Sequence, residues 1–80
     1  MPSHDVLLVE DDPPTRARLA SVIESQPHLV LASAVGTCRD AREALERREP
    51  AVLLTDLGLP DGDGMELAAL ARGRAVRFRL

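Results

Sequence analysis

The segment Asp5-Val6-Leu7-Leu8-Val9-Glu10 holds four successive apolar residues and turns acidic at its end. A strand with one solvated face alternates, so an unbroken apolar run predicts a strand covered on both faces of a parallel sheet. The run stops at Glu10-Asp11-Asp12. Asp12 ahead of Pro13 and Pro14 reads as a helix start, because aspartate accepts hydrogen bonds from free first-turn amides and proline is tolerated there. Ala17, Leu19, Ala20, Val22 and Ile23 fall largely on one side of a helix that ends near Ser25, before Pro27. His28 leads into a second strand over residues 29–34, broken by Gly36. Thr37 with Asp40 three residues on resembles a capping box with a short acidic partner. It opens a helix over residues 38 to about 48 with Ala41, Ala44 and Leu45 as its inner stripe. Pro50 closes that helix, and residues 51–56 form a third strand that again ends on a carboxylate, Asp56. The segment 57–64 contains Gly58, Pro60, Gly62 and Gly64 and is rich in turns. Residues 65 to about 72 then read as a short helix ending at Gly73. Strands alternating with helices imply a parallel sheet with right-handed crossovers and helices on both faces. The final stretch, Ala75-Val76-Arg77-Phe78-Arg79-Leu80, alternates apolar and charged. That fits either a fourth strand at a sheet edge or a frayed tail.

Composition narrows the class. Eighty residues make one small domain, and a chain of this size hides only about 60 % of the surface it exposes when unfolded. With one Phe and no Trp or Tyr the core must be aliphatic. Cys38 is the only cysteine; a disulfide scaffold is excluded, a reducing compartment is favoured, and the thiol reads as structural. No apolar run reaches the length of a membrane helix, and the N-terminus is acidic where a signal peptide is basic. These features predict a soluble, cytoplasmic protein without membrane contact. The net charge of −3 gives no basic footprint for nucleic acid. Charge is nonetheless uneven, since all thirteen acids lie at or before Glu66 while Arg72, Arg74, Arg77 and Arg79 crowd the last nine residues. Every basic residue is arginine, and the absence of lysine, together with the missing glycine pattern, removes P-loop nucleotide binding.

In a doubly wound sheet, ligands bind beyond the carboxyl ends of the strands where the strand order reverses. The first and third strands both end there on acids. Adjacent strands lie about 4.8 Å apart, so pairing of these two brings Glu10, Asp11 and Asp56 into one pocket. Carboxylates that close raise one another's proton affinity unless a cation neutralises them. An all-oxygen ligand set with room for water suits Mg²⁺. An aspartate can also act as a nucleophile, and attack on a phosphoryl group needs a divalent cation to offset the charge. Gly58 permits close backbone approach and a carbonyl ligand. The plainer alternative is that these acids only decorate loops. His4 and His28 belong to the opposite strand ends and are neither ligands nor bases.

The segments Val6-Leu7-Leu8-Val9-Glu10-Asp11-Asp12 and Asp56-Leu57-Gly58-Leu59-Pro60-Asp61-Gly62-Asp63-Gly64 resemble the receiver domain of two-component response regulators, in order and in approximate separation. The resemblance spans residues 5–71 and is nearest in tone to receivers that precede a LuxR-type DNA-binding domain. It implies a flavodoxin-like doubly wound parallel sheet, here incomplete, with three βα units and a short fourth edge strand. It implies that Asp56 accepts a phosphoryl group from a sensor histidine kinase or phosphotransfer protein. Glu10, Asp11, Asp56 and the Gly58 carbonyl would hold Mg²⁺; Asp12 would cap a helix, Pro60 and Gly64 would shape the loop, and Asp61 and Asp63 would be solvated turn residues. Against the family the chain is expected to be C-terminally truncated, with an Arg-rich tail over residues 72–80. The family's Ser or Thr on strand four and Lys on strand five are not matched, and Thr55, which precedes the acceptor, cannot replace that hydroxyl. Switching is therefore expected to be impaired. The alternative is a non-signalling module or fragment that associates with itself or another receiver through an open sheet edge. Phosphatases of the dehalogenase type need a second Asp where Gly58 stands, a Toprim-like reading leaves Asp11 and Asp56 unexplained, and an EF-hand lacks its flanking ligands.

Overall fold

The computed structural model describes residues 3–78. Its elements in chain order are β1 (His4–Val9), α1 (Pro13–Glu24), β2 (Leu29–Val35), α2 (Cys38–Arg47), β3 (Val52–Asp56), β4 (Gly58–Leu59), β5 (Gly62–Asp63), α3 (Gly64–Leu70) and β6 (Arg74–Phe78). Four strands form one sheet in the order β2-β1-β3-β6, all parallel, and β4 pairs antiparallel with β5 in a small separate ladder. This is the start of the flavodoxin-like order, with the reversal beside β1.

Two apolar layers sandwich the sheet. Along β1, Leu7 and Val9 face a core shared with Cys38, Ala41, Leu53, Leu59 and Leu67 beneath α2 and α3. Val6 and Leu8 face the opposite core with Ile23, against which Leu19, Ala20, Leu29, Leu31, Val52 and Leu54 pack. The four-residue apolar run of β1 is explained by this double coverage. In β2 the pairing skips a residue: Val6 is opposite Leu31 and Leu7 is opposite Ser33, so Ala32 is the extra residue of a bulge. The bulge moves the later odd-numbered side chains to the other sheet face, and Val35 joins the α2 core while Leu29 and Leu31 serve the α1 core.

Residues 74–78 form the fourth, edge strand that the sequence allowed, parallel to β3, while Arg79 and Leu80 lie outside the described residues. Several boundaries and faces differ from the sequence reading. Val22 is 54 % exposed and Ala17 is also exposed. Val22 stands about 100° around the helix from Ile23, beyond the stripe that the sheet covers. Strand β2 runs one residue further than expected, to Val35. Helix α3 stops at Leu70, and Ala71 is extended, because the chain is already turning into β6: the Arg72 N–H donates to Glu49 Oε2 (2.9 Å) and the Arg74 N–H to the Ala51 carbonyl (3.0 Å). Gly73 is therefore not a helix cap. A Cβ there would lie 2.6 Å from the carbonyl oxygens of Pro50 and Ala51, so glycine serves close backbone approach.

Candidate functional site

Glu10 immediately follows β1, and its N–H donates to the Val35 carbonyl (2.9 Å), extending the β1–β2 ladder by one bond. The chain then turns sharply because Asp12 caps α1, its Oδ2 accepting from the Thr15 N–H (3.1 Å) and hydroxyl. These bonds to Thr15 hold the Asp12 carboxyl below its ordinary range. Turning this way folds the Glu10 side chain inward to 1 % exposure. Its Oε2 accepts from the Asp12 N–H (3.1 Å), while Oε1 is buried with no hydrogen-bond partner among the described residues. The Arg16 guanidinium donates to the Glu10 carbonyl (2.9 Å), and Gly36 leaves room for it, since a Cβ there would lie 2.8 Å from Arg16 Nη1.

Asp56 ends β3, the strand beside β1, one register step beyond the Val9–Thr55 pair. It is 8 % exposed, and its Oδ1 accepts from the Gly58 N–H (3.0 Å). Gly64 presses so closely on the Asp56 carbonyl that a Cβ would sit 2.2 Å from its oxygen; no other residue fits without moving backbone. Thr55 is fully buried, and its hydroxyl donates to the Asp56 carbonyl (3.0 Å).

Sheet pairing thus brings Glu10, Asp11 and Asp56 together, with one carboxylate oxygen from each inside 4.8 Å of the others. Burial pushes the Glu10 carboxyl up, the nearby Asp11 and Asp56 carboxyls push it further, and the Asp12 N–H only partly opposes them. A buried carboxylate with an unpartnered oxygen beside two more carboxylates is a donor set that a cation would satisfy, and hard oxygen donors of this kind fit Mg²⁺. Exposed Asp11 leaves one side open to water.

Asp61 and Asp63 are exposed and stand outside the acidic cluster, as the sequence reading expected of turn residues; each in addition caps a helix. Asp63 Oδ1 accepts from the Met65 N–H at the start of α3 (2.9 Å). Asp61 accepts from the Cys38 and Arg39 amides at the start of α2 (2.7 and 3.0 Å), which hold its carboxyl below the ordinary range. The Asp63/Glu66 spacing is a readable capping signal, whereas Asp61 reaches across the chain and has no local signature. The anticipated capping box at α2 is half formed: Thr37 Oγ1 accepts from the Asp40 N–H (3.1 Å), but the Asp40 carboxylate lies 3.5 Å from Arg39 Nε. At the far ends of the strands, the His4 N–H donates to the His28 carbonyl (2.8 Å), remote from the acids.

Residues 6–77 match the response regulator receiver domain family. The chain is a receiver domain. The receiver is 35 % identical over 73 residues to the TorCAD operon transcriptional regulatory protein TorR of Escherichia coli K12, covering 91 % of this chain and 31 % of that protein. It is 33 % identical over 61 residues to the protein-glutamate methylesterase/protein-glutamine glutaminase of Rhizobium etli, covering 76 % of this chain and 18 % of that one. An uncharacterized 14.6 kDa protein in the sodA1 3′ region of Leptolyngbya boryana is 35 % identical over 68 residues, 85 % of this chain and 50 % of its own. The chain spans half or less of the curated relatives it matches. Receivers act in phosphorelay signalling, are phosphorylated by histidine kinases or phosphotransfer proteins, and bind Mg²⁺ through acidic residues; the Glu10–Asp11–Asp56 cluster is consistent with such a phosphoacceptor site. No helix among the described residues is long and apolar enough to cross a membrane.

Proposed function

We propose that Asp56 accepts a phosphoryl group from the phosphohistidine of a sensor histidine kinase or phosphotransfer protein, with Mg²⁺ held by Glu10, Asp11, Asp56 and the Gly58 carbonyl. The observation that carries this reading is the buried Glu10 carboxylate, whose Oε1 is unpartnered among the described residues, gathered with the Asp11 and Asp56 carboxylates at the end of the parallel strands. The Gly58 N–H occupies Asp56 Oδ1, which leaves Oδ2 as the attacking oxygen. That oxygen bonds to phosphorus as the bond from phosphorus to the imidazole nitrogen breaks, and the imidazole keeps the electron pair. The cation supplies charge neutralisation at the phosphoryl oxygens. The product carries roughly −1.5 to −2 charges where the Asp56 carboxylate carried one, beside Glu10 and Asp11, which makes the cation obligatory.

The whole chain is read as one receiver unit acting in the cytoplasm, with no catalysis beyond its own phosphorylation and dephosphorylation. The likeness of its loop and second helix to LuxR-type receivers supports that class. These 80 residues contain no lysine, and the Thr55 hydroxyl is committed to the backbone, so by themselves they relay the phosphoryl group weakly. A second reading, self-association through the outer edge of β6, is favoured by that strand pairing only with β3 among the described residues and by the 41 % exposure of Val76. A monomeric sedimentation profile that does not change with concentration refutes it.

Incubation with acetyl phosphate tests the main reading. The expected result is an acid-stable, alkali-labile label that requires Mg²⁺ and is lost in Asp56→Asn. A labelled Asp56→Asn chain, or no label on a folded wild-type chain, overturns it.

A further inference from the structure

Asp61 sits outside the acidic cluster but is tied to it through the loop between β3 and α3. The base of that loop is fixed by Gly64, whose N–H donates to the Leu57 carbonyl (3.2 Å) and whose close approach to Asp56 tolerates no side chain. From there the β4–β5 ladder pairs Gly58 with Asp63 and Leu59 with Gly62, leaving Pro60 and Asp61 at the tip. The tip is fastened to α2. Both Asp61 carboxylate oxygens are used, one on the Cys38 N–H and one on the Arg39 N–H, in bonds that span more than twenty residues of sequence. Gly62 lies against the Cys38 sulfur, where a Cβ would come within 2.8 Å. The other early amides of α2 are satisfied locally, since Thr37 accepts from the Asp40 N–H through Oγ1 and from the Ala41 N–H through its carbonyl. Asp61 therefore completes the cap of α2 from another part of the chain.

We propose that Asp61 is a positioning residue for the acidic site: by fastening the loop tip to α2 it holds Gly58 against Asp56 and so sets the affinity for the divalent cation. The proposal rests on the reading that Glu10, Asp11, Asp56 and Gly58 hold Mg²⁺. Two residues, Leu59 and Pro60, and one cross-strand pair separate Asp61 from Gly58, and a ladder of two residues on each strand is too short to keep its shape unaided. With the tip released, the Gly58 N–H and carbonyl lose their fixed placement relative to Asp56. Coupling of this kind is reciprocal, so a bound cation also orders the first turn of α2. A residue that merely capped α2 would affect helix stability and leave cation affinity alone.

The test is calorimetric titration of the full chain with Mg²⁺ at a temperature well below its melt, with folding confirmed by circular dichroism. Asp61→Asn keeps the shape but turns one acceptor into a donor facing an N–H. It is expected to weaken Mg²⁺ binding about tenfold, as loss of support behind metal ligands does. Gly62→Ala keeps the carboxylate but pushes the tip away from Cys38; it should weaken binding similarly, and it carries the test alone if Asp61→Asn does not fold. Thr37→Val removes a local cap of α2 but leaves both Asp61 bonds in place, and should weaken binding less than either loop variant. Amide exchange at Cys38 and Arg39 should slow on adding Mg²⁺ to wild type and not to Asp61→Asn. Wild-type affinity in both loop variants, or equal weakening in Thr37→Val, overturns the proposal. Absence of Mg²⁺ binding by the folded wild-type chain overturns the cation reading itself, and this inference with it.

Discussion

Replacing Glu10 by Gln separates what the buried carboxylate costs the fold from what it does for a cation. The side chain is 1 % exposed and has one hydrogen bond, from the Asp12 N–H to Oε2, while Oε1 is unpartnered among the described residues, and the carboxylate lies beside those of Asp11 and Asp56. Glutamine keeps the bond from Asp12 through its carbonyl oxygen. Its amide donates from the Oε1 position to a neighbouring carboxylate, and the like-charge repulsion disappears. A hydrogen bond to a charged group contributes about 1.5–3 kcal/mol at best; with one rotamer fixed for two partners, about 1–2 kcal/mol is expected. For a domain of this size each kcal/mol moves Tm by about 4–8 °C, so Glu10→Gln should melt about 4–16 °C above wild type in EDTA. Magnesium reverses the ranking. Wild type gains about 2.7 kcal/mol at a hundredfold excess of Mg²⁺ over its Kd, and the variant gains little. Thermal melts followed by far-ultraviolet circular dichroism, with EDTA and with a Mg²⁺ series, supply both comparisons. If Glu10→Gln is less stable than wild type in EDTA and shifts equally with Mg²⁺, the carboxylate is neither strained nor a ligand, and the reasoning fails.

Three further outcomes follow from other parts of the structure. Gly64→Ala forces a Cβ to within 2.2 Å of the Asp56 carbonyl oxygen, backbone against backbone, and should abolish phosphoryl acceptance and lower Tm; wild-type labelling in this variant contradicts the packing described. The α2 amides lower the Asp61 carboxyl below its ordinary value of 3.8, so the folded state binds that proton less tightly than the unfolded chain. Its stabilising contribution is therefore full above that value and is lost as pH falls through the folded pKa; acid titration of Tm should show a steeper fall for wild type than for Asp61→Asn. Burial pushes the Cys38 thiol up, and the side chain is 1 % exposed, so alkylation of the native protein should be slow and should accelerate in step with denaturant unfolding.

The succession of strands and helices and the acidic cluster were legible because each has a local signature. An unbroken apolar run requires two covered faces, Asp12 before two prolines requires a helix start, and acids at the ends of two strands need only those strands to pair. The bulge at Ala32 has no such mark, because Leu29, Leu31, Ser33 and Val35 preserve their alternation while their partners on β1 shift by one. The cap that Asp61 supplies to α2 was hidden for a related reason: turn chemistry explains an aspartate between Pro60 and Gly62 without any distant partner, and only the folded chain brings α2 to it. Gly73 likewise looked like a helix terminator, whereas its lack of a side chain is used against the backbone entering β3. Helix faces were clearer at their centres than at their margins, as the exposure of Val22 beside buried Ile23 shows.

The most direct test of the account is to locate the modified residue after acetyl phosphate treatment. Borohydride converts an aspartyl phosphate to homoserine, and peptide mass spectrometry then reads its position. Homoserine is expected at position 56 in the Mg²⁺ sample and nowhere in the EDTA sample. Modification at another carboxylate, or at Asp56 independently of the cation, contradicts it.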